Sequence, residues 1–361
     1  MKFGKIIAGL TVKWQSMQIL ISILAILFGF ICSGLIIWLS GHSPLEGILA
    51  LWVGIFGSPQ AFGEALRMAT PLIFAGLSVS FAYKTGLFNI GVEGQLLVGW
   101  LVSVWIGYAV QLPSIFHIPF AIFTAWLAGM AWGAVPGFLK AFYGVNEVIV
   151  TIMMNYIALY VTGDFIRRFL FADGEKSHAI RPSASLHFSW LTEWTNGSRF
   201  HIGFFLAIFC CVLVWFLMQK TTFGYTLRAS GYNRYAALYA GMSVKRNIIL
   251  SMAIAGGLAG VGGAMEGLGT FGFMPIQSAF SGIGFNGIAV ALLGGGEPIG
   301  IFLSACLFGS LQSAAPTMNF QTGIPSELIT VMIALIIFFV AAGPMIYTKI
   351  LKKYKGGRFF R

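Results

Sequence analysis

The residues best placed to do chemistry lie inside apolar sequence. The segment 86–95, GLFNIGVEGQ, holds Asn89, Glu93 and Gln95 among Gly86, Gly91 and Gly94, with Phe88 beside the asparagine. An ionisable residue in such surroundings is costly and marks a functional position by default. Glycines let a helix break and let backbones approach closely, which exposes amides to a buried polar ligand. Two readings stand. Either Asn89 and Glu93 meet a ligand, or Glu93 lies in the membrane interface and Asn89 caps a helix. Asn155, in TIMMNY (151–156), and Asn286, in GFNGIAVALLGGGEP (284–298), pose a similar choice. Each amide must be satisfied by a ligand or by another helix. Phe285 adjoins Asn286 as Phe88 adjoins Asn89.

Catalytic constellations are absent. No G-x4-G-K-[ST] occurs, so the chain cannot cradle ATP phosphates through a P-loop, and no H-E-x-x-H occurs. The five histidines (His42, His117, His178, His187, His201) are scattered near loop positions, and no Asp precedes Asp164. Glu93, Glu266 and Glu297 stand alone rather than in the pairs a proton relay needs. No catalysis, metal or cofactor is expected on this chain.

The elements that must position these residues follow from composition. Of 361 residues, 58% are hydrophobic and 9% charged, with a mean hydropathy of +0.86. A soluble domain carries roughly a quarter charged residues, so the chain is an integral membrane protein. Only helices and closed barrels can span hydrocarbon. Barrel strands alternate apolar and polar residues, whereas Ile19 to Leu39 reads ILISILAILFGFICSGLIIWL without a break. The fold class is therefore all-α, a polytopic transmembrane helical bundle. A net charge of +11 would suggest nucleic acid in a soluble protein; here membrane lipids account for it. The cysteines (Cys32, Cys210, Cys211, Cys306) lie in apolar runs, as core residues rather than a disulfide framework. Lys2, Lys5 and Lys13 precede an apolar run too long for a signal core and without a cleavage site, so it reads as the first span.

Ten spans are expected, near 17–39, 64–83, 87–109, 118–139, 146–170, 201–218, 247–270, 276–295, 299–316 and 326–347. The spans holding Asn89 and Asn286 are glycine-rich and interrupted, so eight full spans with re-entrant segments is the alternative. With ten, one side collects Lys2, Lys5, Lys13, Lys84, Lys140, Lys220, Arg228, Arg234, Lys245, Arg246 and the basic tail. The other receives Arg67, Arg167, Arg168, Lys176, Arg181 and Arg199, mixed with acids. The positive-inside rule then places both termini in the cytoplasm. The 171–200 loop falls outside, and the basic, acid-free 219–247 loop falls inside. The short alanine- and tyrosine-rich helix near 233–241 suggests docking to a partner rather than a merely solvated loop. GLFNIGVEGQLLVG (86–99) and GIGFNGIAVALLGGG (282–296) echo each other. That echo is either a five-plus-five internal repeat, the pattern that flanks a transporter's midplane site, or chance likeness between glycine-rich helices.

FNIGVEGQ (88–95), NEVIVTIMMNYIA (146–158) and GFNGIAVALLGG (284–295) together resemble the permease subunits of bacterial ABC importers of the branched-chain amino acid and simple-sugar superfamily, nearest to nucleoside permeases. The likeness runs from about Lys84 to Gly343. It implies one transmembrane permease domain over 1–361, in a bacterial plasma membrane, and a partnership. The partners are a second permease chain, often a different one, a cytoplasmic ATPase holding ATP-Mg, and an extracellular substrate-binding lipoprotein. It implies a substrate pathway at Phe88, Asn89, Glu93, Gln95, Asn155, Phe285 and Asn286. In the 219–247 loop it implies ATPase coupling through Arg228, Gly231, Asn233, Ala236, Ala237 and Gly241. Ala236-Ala237, three residues and Gly241 keep the Ala-Ala-x-x-x-Gly core of the coupling motif, while Tyr235 stands where many importers have Glu. Simple sugars or branched-chain amino acids are the alternative substrates, and a secondary transporter is the alternative class.

Overall fold

The computed structural model describes residues 23–172 and 174–356, and it is helical almost throughout. Apolar runs give α1 (Ile23–Leu39), α2 (Pro44–Phe56), α3 (Pro59–Lys84), α4 (Val92–Ala109), α5 (Ser114–Tyr143) and α6 (Glu147–Phe165). The short α7 (Ser189–Trp194) precedes α8 (Gly203–Lys220), α9 (Thr222–Tyr232) and α10 (Arg234–Tyr239). Then come α11 (Val244–Ala264), α12 (Ile283–Leu293), α13 (Pro298–Thr322) and α14 (Glu327–Gly356). Wide π-type turns extend α6 through Leu170 and α11 through Phe271. The ends obey local chemistry. Ser58 caps α3 by accepting from the Ala61 amide at 3.1 Å, with Pro59 at the first position. Asn146 caps α6 in the same way, and left-handed Gly144 (φ 68°) closes α5.

Among the described residues, seven helices are long and apolar enough to cross a membrane: α3, α4, α5, α6 with its extension, α8, α11 with its extension, and α13. α1, α2, α12 and the Glu327–Val340 part of α14 are apolar but shorter. A multi-pass helical bundle is the result. Each expected span meets a helix, residues 17–22 of the first lying outside the described residues. Two differences matter. α2 occupies a stretch to which the sequence reading gave no element. The expected span 276–295 is helical only from Ile283 to Leu293, because Gly272, Pro275 and Gly282 hold the preceding backbone in an irregular path.

The chain forms two compact units, Met1–Ile55 with Ala314–Arg361, and Phe56–Ser313. In the first, Gly29 of α1 packs on Ile336 of α14, and Gly54 of α2 on Ala314. The second unit is built on α11. Gly256 and Gly260 of α11 lie against the backbone of Gly129 and Ala125 in α5, and Gly263 lies against Leu96 and Trp100 in α4. Small residues allow this approach, and in lipid such packing drives helix association. All residues of the candidate site belong to this unit.

Candidate functional site

α3 ends at Lys84, and the chain is non-helical through Gly91 before α4 starts at Val92. α12 lies along the second half of α3. Gly287 packs on Ala75, Gly76 faces Val290, and Gly296 reaches Ser80 and Lys84. Eleven residues of helix rise about 16 Å, half of a hydrocarbon core of about 30 Å. α12 therefore begins midway along α3, and its first turn meets the first turn of α4. A Cβ added at Gly284 would stand 2.7 Å from the Glu93 Cα.

Glu93 joins the two helix starts. It is fully buried. Its Oε1 accepts from the Ser281 hydroxyl at 2.7 Å and the Gly282 amide at 2.9 Å, and its Oε2 accepts from the Gly284 amide at 2.5 Å. A carboxylate from one helix thus caps the N-terminus of another, the end where a negative group is stabilised. Asn89 does comparable work at α4. Its Oδ1 accepts from the Gly91 amide at 3.0 Å, and its Nδ2 donates to Gln95 Oε1 at 2.9 Å. Gln95 Nε2 returns a bond to Asn89 Oδ1 at 3.3 Å. Asn155, from α6, accepts from the Gly94 amide at 2.8 Å and donates to the Ile90 carbonyl at 2.9 Å. The structure thus brings Asn89, Glu93, Gln95 and Asn155 into one buried junction. Phe88 flanks it half-buried, while Phe285 is exposed and Asn286 partly exposed on α12. Of the other two lone acids, Glu266 accepts from the Thr270 hydroxyl at 3.1 Å, and Glu297 pairs with Lys84 at 2.6 Å.

The irregular stretch 272–282 is held from the 171–200 loop. The amides of Leu186, Ile180 and Ser177 donate to the carbonyls of Leu268, Gly272 and Met274, and the Ile276 amide donates to Glu175. Trp100 Nε1 donates to the Phe273 carbonyl at 3.0 Å. Ser281, the hydroxyl partner of Glu93, escaped the sequence reading. The available signal was Gly272 and Pro275, turn residues just before the assigned span 276–295, and Gly282 inside it.

The 219–247 loop folds as α9 and α10. Asn233 caps α10, its Oδ1 accepting from the Tyr235 and Ala236 amides at 3.0 Å each. Ala237 is buried, and left-handed Gly241 (φ 77°) ends the helix. Gly231 packs directly on the backbone of Lys84, Thr85 and Gly86, the turn that leads into the polar junction. Arg228 Nη1 donates to Gln219 Oε1 at 3.2 Å. The face left open carries Tyr232, Tyr235, Leu238 and Tyr239, all strongly exposed.

Residues 61–341 match the family described as "Branched-chain amino acid transport system / permease component". The chain is 50% identical over 325 residues to a guanosine ABC transporter permease protein, NupP, of Bacillus subtilis, covering 90% of this chain and 93% of the relative. It is 40% identical over 334 residues to a nucleoside ABC transporter permease protein, NupB, of Lactococcus lactis, covering 91% and 92%. A second permease of the same Lactococcus, NupC, also named for nucleosides, is 29% identical over 269 residues, covering 69% and 80%. No solved structure matches the chain.

Proposed function

Because this chain belongs to the branched-chain amino acid transport-system permease family, we propose that it carries nucleosides across a bacterial plasma membrane as a permease subunit of an ABC importer. It is a multi-pass membrane protein and a transport component rather than an enzyme. The observation that carries the choice of substrate is the 50% identity to a guanosine permease over nearly the whole of both chains. The junction supports a neutral cargo. Helix N-termini at mid-depth can hold an anionic group such as an amino acid's carboxylate. Here Glu93, Asn89 and Asn155 already occupy those amides. The pathway runs over this junction, with Phe285 and Asn286 at its surface and Phe88, Asn89, Glu93, Gln95 and Asn155 forming its wall.

In this reading ten spans cross the membrane in two repeats of five, with both termini cytoplasmic. Clustering of residues at the two ends of α3 supports the two-sided arrangement. Glu64 holds Arg67 and Arg199 at one end, while Lys84, Glu297 and Gly231 gather at the other. A cysteine at exposed Ser189, in the outer loop, should react with a membrane-impermeant thiol reagent in intact cells. Labelling only after lysis would reverse the topology.

The partners are a second permease chain, a cytoplasmic ATPase that holds ATP-Mg, and an extracellular binding lipoprotein. Lactococcus lactis carries two different nucleoside permeases similar to this chain, which favours a heterodimer. ATP-driven closure of the ATPases moves α10. Through Gly231 the motion reaches the Lys84–Gly86 turn and the start of α4. Arg228 and Asn233 fix the shape of this loop, and Ala236, Ala237 and Gly241 let α10 seat closely. In cells lacking this chain, the native sequence should restore uptake of labelled guanosine. Tyr235→Ala with Tyr239→Ala should reach the membrane normally yet restore less than about a tenth of it, as expected for interface anchors whose truncation costs ~2 kcal/mol each. Normal uptake by the double variant would refute the docking role.

A further inference from the structure

We propose that Tyr156, Phe280 and Phe285 form the surface on which the base of the passing nucleoside stacks; this rests on the nucleoside reading above. The three rings come from three places: Tyr156 from the middle of α6, Phe280 from the irregular stretch, and Phe285 from the first turn of α12. Tyr156 and Phe280 meet edge to face with centroids 5.1 Å apart, and Phe280 and Phe285 do the same at 5.8 Å. Phe280 packs against the buried cluster that includes Leu97 and Ala158. The outer two rings remain open, Tyr156 47% and Phe285 41% exposed.

Lipid does not account for this corner. Irregular backbone at membrane depth is tolerated only where protein covers it or where it lines water. Ser278, Ala279 and Ser281 are exposed on that backbone beside the rings. By contrast, Phe205, Phe209 and Phe216 are exposed along regular α8, where lipid is the natural neighbour. The corner is also pre-organised. Glu93 clamps Ser281, Gly282 and Gly284, three of the four residues between Phe280 and Phe285, so one buried carboxylate holds the backbone that carries both rings. Flat π-faces bordered by hydroxyls and peptide groups suit an aromatic base carrying a ribose. A base stacked on an aromatic side chain is worth ~1–3 kcal/mol. Although every base has a π-face, the two fused rings of a purine overlap more of an aromatic side chain than the single ring of a pyrimidine. A free sugar has no such face to offer.

The test is uptake of labelled guanosine, uridine and ribose by cells in which this chain is replaced by variants. Apparent KM follows the binding protein, so the informative quantity is maximal rate at equal membrane abundance. Tyr156→Leu and Phe285→Leu should each lower the guanosine rate about tenfold, the uridine rate less, and leave assembly with the second permease and ATPase intact. Tyr156→Phe and Phe285→Tyr, which keep the rings, should retain near-native rates. A purine-to-pyrimidine ratio unchanged in the leucine variants, or a loss of Tyr156→Phe as severe as that of Tyr156→Leu, would overturn the stacking role. Loss of the second permease from the purified complex would also overturn it, making the corner a subunit contact. If the native chain restores ribose uptake but no nucleoside uptake, the nucleoside reading itself fails.

Discussion

Glu93→Leu should remove the chain from the membrane and abolish uptake. The substitution strands the Ser281 hydroxyl and the Gly282 and Gly284 amides, which all donate to this carboxylate. Each buried unsatisfied group costs ~1–3 kcal/mol. The two amides together take up a large part of a typical stability of about 5–15 kcal/mol, while the exposed Ser281 hydroxyl can turn to water. Glu93→Gln keeps one acceptor oxygen, so it should recover part of the abundance. Immunoblots of membranes and melting of the detergent-extracted complex measure both. Full abundance of Glu93→Leu would show that the first turn of α12 needs no cap.

Gly263→Val should be as damaging, for a steric reason. Its side chain would drive into the Leu96 carbonyl and the Trp100 amide of α4, and backbone inside a helix cannot rotate aside. Overpacking of side chains alone costs ~1–3 kcal/mol; here two helices must separate, and abundance should fall by more than about tenfold. Gly163→Ala is the control. A Cβ there meets nothing nearer than Ile276 Cγ2, at 3.8 Å, so it should accumulate normally. Equal accumulation of the two variants would refute the packing argument.

The helical, multi-pass character of the chain was legible because hydropathy reports directly which residues leave water. The polar cluster was legible too, since Asn89, Glu93, Gln95 and Asn155 are conspicuous in apolar sequence. What those groups bind was not. Asn155 satisfies Gly94 and Ile90, some sixty positions away, and Glu93 satisfies residues nearly two hundred positions away. Spacing cannot reveal such partners. The irregular stretch before α12 was hidden for another reason. Hydropathy measures solvent preference and not hydrogen bonding, and Ile276 and Phe280, ahead of the aliphatic run of α12, keep the 276–295 window apolar through a broken backbone. α2 went unassigned because its apolar run is too short to demand a span. The repeat-like segments led us to expect Asn89 and Asn286 in matching places. The structure sets Asn89 before the first turn of α4, within the buried junction, and Asn286 inside α12, partly exposed.

The glycine seam joining α4, α5 and α11 also bears on how the chain is made. Gly129 and Gly256 touch through their backbones, yet about 130 residues separate them in sequence. At a synthesis rate of roughly 5–20 residues per second, α5 waits roughly 6–25 s for its partner to leave the ribosome. During that interval α4 and α5 present flat, side-chain-poor surfaces to the bilayer, where lipid chains or a chaperone of the insertion machinery must cover them. The last of the three helices to be synthesised therefore sets the moment at which the permease first acquires a core.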